Sequence, residues 1–258
     1  MKKINKSDIE PLQLSSYRAV KPEGDWDGFR KNRQRYKALK EQLIQDQKGL
    51  CAYCENNLAL ADEQVQGTDD FRIEHFHPKK PHEPPPNHAL DWKNLLGVCT
   101  GGNQMDVIDN RFTTPDHSCD VPKNNNNWVE IILNPLYDVP AFPGWFQYIE
   151  QGNDAGKIEV DLKLCPTDLQ QKAQETIDKL NLNAERLKRF RAKVIENFRK
   201  HFEELTRLGH SEDEALEELA EDCFVISTQE HWLPFFTCIR WYLADKAENQ
   251  LQKIGYNG

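Results

Sequence analysis

The chain lacks a long apolar run. Nothing in it approaches the eighteen or so consecutive apolar residues that a bilayer crossing needs, so no membrane span is expected. Its first residues, Met1-Lys2-Lys3-Ile4-Asn5-Lys6, are basic but have no apolar core of the secretory kind, which points to the cytoplasm. Positive charge is in deficit, with a formal net charge of −9. Because phosphate neutralisation supplies most nonspecific affinity for nucleic acid, that balance excludes a free-standing, tightly binding nucleic-acid protein. Work on nucleic acid would need local basic patches or a basic partner. No internal repeat is visible. The seven cysteines are odd in number and come without a secretion signal, which argues against a disulfide framework.

What is present describes a soluble, rather polar globular protein of 258 residues, 38 % hydrophobic and 29 % charged. That length suits one large domain or two modest ones. Cys165, Cys223 and Cys238 stand alone in apolar or helical surroundings and read as buried thiols. Cys51, Cys54, Cys99 and Cys119 are better used on a metal. Cys51-Ala52-Tyr53-Cys54 has the two-residue separation that lets both sulfurs reach one ion, as in half of a tetrahedral zinc site.

Residues 1–26 show little periodicity and read as an arm. Phe29, Tyr36, Leu39, Leu43 and Ile44 recur at helical spacing, predicting a helix from about Phe29 to Gln47, capped by Asp27 and stopped by Gly49. Arg30, Lys31, Arg33, Arg35, Lys37 and Lys40 form its polar face, a solvated surface or a phosphate-contacting one. Phe71-Arg72-Ile73-Glu74-His75-Phe76 reads as a strand that Pro78 ends. A proline-rich loop follows, and Leu95, Leu96 and Val98 lead to Cys99. Between Trp128 and Val160 the pattern is extended, with Val129, Ile131 and Leu133 alternating and a hairpin turning through Gln151–Gly156. Beyond Thr167 the chain is helical. Thr167, Asn183 and Ser211 are the expected caps, the second helix is basic, the third acidic, and a fourth runs from about Gln229 to Lys253.

Phosphodiester hydrolysis requires a base, a cation for the developing negative charge, and geometry that aligns them. His75 suits the base, and hard oxygen ligands suit a Mg²⁺-like ion. Glu74 and His75 are adjacent on a strand, so their side chains point to opposite sides. Asp120 and Asn124, four apart, would share a helix face. On its own a Glu-His pair is common on surfaces. The surrounding order gives it weight: Cys51-x-x-Cys54, Glu74-His75, Asn94-Leu95, Cys99, then Cys119-Asp120-x-x-Lys123.

That order resembles HNH endonucleases of the ββα-metal type that carry a four-cysteine zinc knuckle. Ile73-Glu74-His75-Phe76 and Asn94-Leu95-Leu96-x-Val98-Cys99 are most similar to the PtuB group, the nucleases of Septu and retron-associated anti-phage systems. The match with specific words spans about residues 49–135. The resemblance implies an α+β chain, mostly α: an arm and basic helix over 1–48, a ββα-metal core with knuckle over 49–135, and a hairpin plus helical partner-docking region over 136–258. It implies His75 as general base and Glu74 as a ligand or orienter of the catalytic metal. Asn94 would hold the loop that positions His75, Asp120 would be the second metal ligand, Asn124 a third, and Lys123 a phosphate neutraliser. Mg²⁺ or Mn²⁺ would be the catalytic ion, and Cys51, Cys54, Cys99 and Cys119 would bind structural Zn²⁺. His117 is an alternative to Cys119, because a long insertion separates Cys99 from Cys119. His77 is the alternative base or ligand among His77, His82 and His88, while Arg111, Lys79 and Lys80 are further cations near phosphate. The implied partners are a nucleic acid (DNA or tRNA), a PtuA-type ABC/SMC-like ATPase and, through that complex, a retron reverse transcriptase with its msDNA. The rival class is a non-catalytic zinc-binding adaptor.

Overall fold

The computed structural model describes residues 1–60, 71–80, 87–102, 116–225 and 231–258. These form a mixed, mostly helical protein. Among the described residues no helix is long and apolar enough to cross a membrane.

Two short strands lie at the centre of the N-terminal half. β1 (Phe71–His75) pairs antiparallel with β2 (Leu95–Cys99), with Phe71 opposite Cys99 and His75 opposite Leu95. All five residues of β2 are buried, so a run of apolar side chains at this length is sheet interior rather than helix. The strands are pinned to the preceding helix by polar contacts. Gln47 donates to the carbonyls of Gly97 (2.8 Å) and Leu50 (2.7 Å) and accepts from the Gly97 amide (2.6 Å). A Cβ on Gly97 would lie 3.2 Å from Leu58 and 3.3 Å from the Gln47 amide, so this close approach favours glycine.

The expected single helix over 29–47 is two helices. α2 (Trp26–Arg30) stops, and α3 (Arg33–Asp46) restarts with Asn32 as its cap, the side chain accepting from the Arg35 amide. Asp25 rather than Asp27 caps α2. The arm also contains a helix, α1 (Leu12–Val20), whose Leu14 and Tyr17 are buried against Trp26, Phe29, Leu39, Leu43, Ile73 and Leu95. Its weak periodicity concealed it, because only two of nine positions face inward.

A second correction concerns residues 129–133. They form turns, not a strand: Ile132 and Leu133 are consecutive and both fully buried, which alternation cannot provide. The hairpin is real, with β3 (Phe146–Tyr148) antiparallel to β4 (Ile158–Val160). After the one-turn α4 (Asp120–Lys123), the long helices are α5 (Thr167–Lys179), α6 (Glu185–Arg207), α7 (Glu212–Cys223) and α8 (Phe236–Lys253). Ser211 closes a reciprocal capping box with Glu214. Asn183 does not cap α6. Its side chain instead bonds both the amide and carbonyl of Ile158, fastening α6 to β4. The first two residues of the fourth expected helix, 229–230, lie outside the described residues, and the helix itself begins at Phe236.

The helical half is anchored on the cysteine segment. The buried Glu55, next to Cys54, accepts from the amide and hydroxyl of Thr237 at 2.8 Å each, and its carbonyl accepts from the Phe235 amide. Gly49 takes φ +77°, and a Cβ there would lie 2.5 Å from the His231 ring. The expected stop signal is therefore also the place where the C-terminal segment packs down.

Candidate active site

The turn at Cys51–Cys54, the end of β2 at Cys99 and the start of α4 at Cys119 bring four thiols together. Their sulfurs lie within 4.8 Å of one another. Cys54 and Cys99 are 3.6 Å apart, Cys99 and Cys119 3.6 Å, and Cys51 and Cys119 3.9 Å. Four sulfurs at ~2.3 Å from a tetrahedral ion stand about 3.8 Å apart, so the set fits one metal ion without rearrangement. Burial opposes ionisation of Cys51. Hydrogen bonds from Cys119, Cys54 and Cys99, together with the Cys99 amide, outweigh it and hold that thiol well below its ordinary range. Among the described residues this is the one group of three or more His, Cys, Asp or Glu side chains able to share an ion. Cys119 completes it. His117 stays outside, its carbonyl accepting from Asn181.

The alternation of β1 distributes the next groups. Arg72 and Glu74 share the face toward α4, where Arg72 pairs with Asp120 (3.3 Å) and Glu74 with Lys123 (2.6 Å). Burial pushes the Glu74 carboxyl up to about 7 in spite of Lys123, and Asp120 up to about 6 in spite of Arg72. Each carboxylate is thus held near an opposite charge but short of water. Asp120 Oδ1 is buried with no hydrogen-bond partner. Two hard carboxylates, one with an orphaned oxygen, form a donor set suited to a divalent cation that keeps water or phosphate as its other ligands.

His75 points the other way. Its ring meets Trp26 edge-on at 4.6 Å, and Nε2 lies 3.1 Å from the Ala89 carbonyl. A carbonyl can only accept, so Nε2 carries the proton and Nδ1 keeps the lone pair. Burial lowers the His75 pKa to about 4, leaving the ring neutral at physiological pH. Asn94 closes the loop after His75: it accepts from the His77 amide (2.6 Å) and donates to the carbonyls of His77 (2.9 Å) and His88 (2.7 Å). His77 and His88 stack at 3.8 Å.

Two expected placements are corrected. Lys123 is fully buried, its ammonium engaged by Glu74 and by the His75 carbonyl at 3.0 Å, so it faces the protein interior and not a phosphate. Asn124 is exposed and lies past the end of α4 at φ +47°, so the four-residue spacing does not align it with Asp120 on a helix face. His82 and Arg111 lie outside the described residues.

No family model matches the chain, and no solved structure matches it. A curated Escherichia coli protein named "Retron Ec83 putative HNH endonuclease" is 34 % identical over 220 residues, covering 77 % of this chain and 80 % of that protein. The chain belongs to this HNH endonuclease family.

Two residues beside the centre of this HNH endonuclease were not singled out from the sequence. Arg72 stands two before Glu74, the spacing that places both on one strand face, so the signal was present. Tyr53 carried none beyond its place between two cysteines. It is 1 % exposed, and its hydroxyl is buried without a partner. The basic character of α6 also resolves differently: Arg186 is buried and donates to Ser118 Oγ (2.9 Å), and the buried Arg191 donates to the Leu187 and Leu182 carbonyls.

Proposed function

We propose that this HNH endonuclease is a metal-dependent phosphodiesterase of the ββα-metal type, acting on DNA or tRNA as the effector of an anti-phage system. The observation that supports this is a buried neutral histidine on one side of β1 and, on the other, a buried carboxylate pair that Glu74 of β1 forms with Asp120 of α4. His75 accepts a proton from water at Nδ1, its tautomer set by the Ala89 carbonyl. Asn94 keeps that carbonyl's loop in place. Glu74 and Asp120 would hold Mg²⁺ or Mn²⁺, which when bound supplies positive charge to the phosphate. Lys123 and Arg72 orient the two carboxylates. The four thiols hold structural zinc, which their spacing and softness favour.

A PtuB-like role is supported by the retron named in the relative's description. In it, a PtuA-type ABC/SMC-like ATPase would restrain or deliver the nuclease, with a retron reverse transcriptase and its msDNA in the same complex. The acidic net charge of −9 suits an effector that binds nucleic acid poorly when alone.

The test is cleavage of plasmid DNA and total tRNA with Mg²⁺ or Mn²⁺, with and without the ATPase, comparing wild type and His75→Ala. General-base loss should cut the rate by ~10²–10⁴-fold while zinc content is unchanged. Equal cleavage by both proteins would remove His75 as the base. No cleavage by folded, zinc-loaded wild type with its partner would leave the adaptor role in its place.

A further inference from the structure

Arg186 is a buried cation that the hydrolytic site does not use. It lies in the first turn of α6, 8 % exposed, and its Nη2 donates to Ser118 Oγ at 2.9 Å. Ser118 is fully buried, and its Oγ lies 3.6 Å from Cys119 Sγ, accepting from the thiol. The Cys119 amide donates to the Leu180 carbonyl at 2.9 Å, so side chain and backbone both tie this ligand to the junction of α5 and α6. Gly102 leaves room for the guanidinium, because a Cβ there would stand 3.3 Å from Arg186 Nε and 3.4 Å from Nη2. Among the described residues Arg186 has no carboxylate partner. Glu185 beside it pairs with Lys188, and the Asp116 carboxylate accepts from Asn181 and from the Glu185 amide. A charge taken out of water is costly unless opposite charge or hydrogen bonds offset it. A guanidinium has five N–H donors, and Ser118 takes one of them.

The missing negative charge is in the cysteine cluster. Its ligands bind an ion as thiolates, and four thiolates around one divalent cation leave negative charge in excess. We infer that Arg186 and Ser118 are positioning residues that offset the charge of the loaded cysteine centre: once Cys119 holds the ion as a thiolate, the Ser118 hydroxyl donates to its sulfur while Arg186 donates to the Ser118 oxygen. This rests on the zinc role proposed above. The Cys119 proton leaves to solvent, so the contact that the thiol now donates is reversed rather than lost. Outer partners of metal ligands act in this way elsewhere, and losing one weakens metal affinity by ~10–100-fold.

The experiment is competition for Zn²⁺ between the full chain and a chelator of known affinity, with wild type, Ser118→Ala, Arg186→Met and the double variant. The absorption spectrum of each protein loaded with Co²⁺ accompanies it. The expected result is a Kd for Zn²⁺ raised by ~10-fold or more in each single variant. The double variant should be little worse than the weaker single one, because the two residues act in series. The sulfur-to-cobalt band should move to lower energy, since a thiolate that loses a hydrogen bond gives up its electrons more readily. Unchanged Zn²⁺ affinity in Ser118→Ala would overturn the inference while leaving the zinc centre standing, and that variant, which removes one oxygen, decides the matter even if Arg186→Met does not fold. Weaker affinity with an unmoved cobalt band would also overturn it, because the loss would then come through the fold. Fully additive losses would overturn the arrangement in series. If wild type itself holds no zinc, the centre fails and its counter-charge fails with it.

Discussion

Cys119 and Asp120 are adjacent, but one belongs to a closed set of four like ligands and the other to a carboxylate pair held by cations. The thiols are drawn from three separate segments and already stand at the separations a tetrahedral ion imposes. Nothing about them invites substrate. The carboxylates are different. Each is ion-paired to a side chain of opposite sign, each has its pKa raised by burial, and one oxygen has no partner. The first arrangement is what a structural metal needs, and the second leaves room for a ligand that comes and goes. A chain this polar can use the first centre as the rigid floor of the second.

That contrast breaks most severely at the thiols. Cys99→Ser should abolish zinc retention and cooperative unfolding together. Structural zinc contributes ~10–16 kcal/mol in small zinc-binding peptides, as much as a domain's whole stability of about 5–15 kcal/mol. Metal content and circular dichroism on one sample check it, and a folded, zinc-free variant would make the cluster ornamental.

At the carboxylates the effect should be smaller and dependent on pH. Lys123→Met leaves Glu74 without its buried partner, which costs about 3–5 kcal/mol where the carboxylate is charged. Urea unfolding at pH 8 should show that loss. At pH 5 Glu74 takes up a proton, and most of the difference should disappear. An equal loss at both values would mean that Lys123 matters for packing alone.

The finest distinction is a cation response. Glu74 and Asp120 have folded pKa values of about 7 and about 6, above their ordinary 4.5 and 3.8. The folded state therefore binds more protons, so their contribution is complete below about pH 4 and is lost as pH rises through 6 to 7. His75, lowered from 6.5 to about 4, runs the other way: its contribution is complete above 6.5 and is lost as pH falls through 4. Added Mn²⁺ should raise the melting temperature at pH 8, by an amount equivalent to ~2.7 kcal/mol at a hundred times Kd, and should have little effect at pH 5. An equal response at both values would locate the ion away from this pair.

Much of this was legible in the sequence, for identifiable reasons. Two cysteines separated by two residues are a local geometric statement, and Ser211 with Glu214 is a capping box in any context. Asn94 was legible as a loop holder only through the resemblance. The helix α1 was not legible, because an amphipathic face so narrow barely differs from coil. The Asp120–Asn124 spacing misled because α4 ends after one turn, and helical periodicity has no meaning beyond the end of the helix. Lys123 misled because its burial is set by β1, which lies some fifty residues earlier in the chain. The sequence marked α6 only as basic; that Arg186 and Arg191 face inward, onto Ser118 and the Leu182 carbonyl, was decided by packing.

By itself the sequence determined the side-chain chemistry: soft thiols in one set, hard carboxylates and an imidazole in another, in an order that resembles HNH endonucleases. Tertiary structure decided which of them meet. Side-chain direction on a strand alternates, so Arg72 and Glu74 turned toward α4 and His75 toward Trp26. Burial then decided charge, because a carboxylate or imidazole removed from water resists ionisation however its neighbours read along the chain.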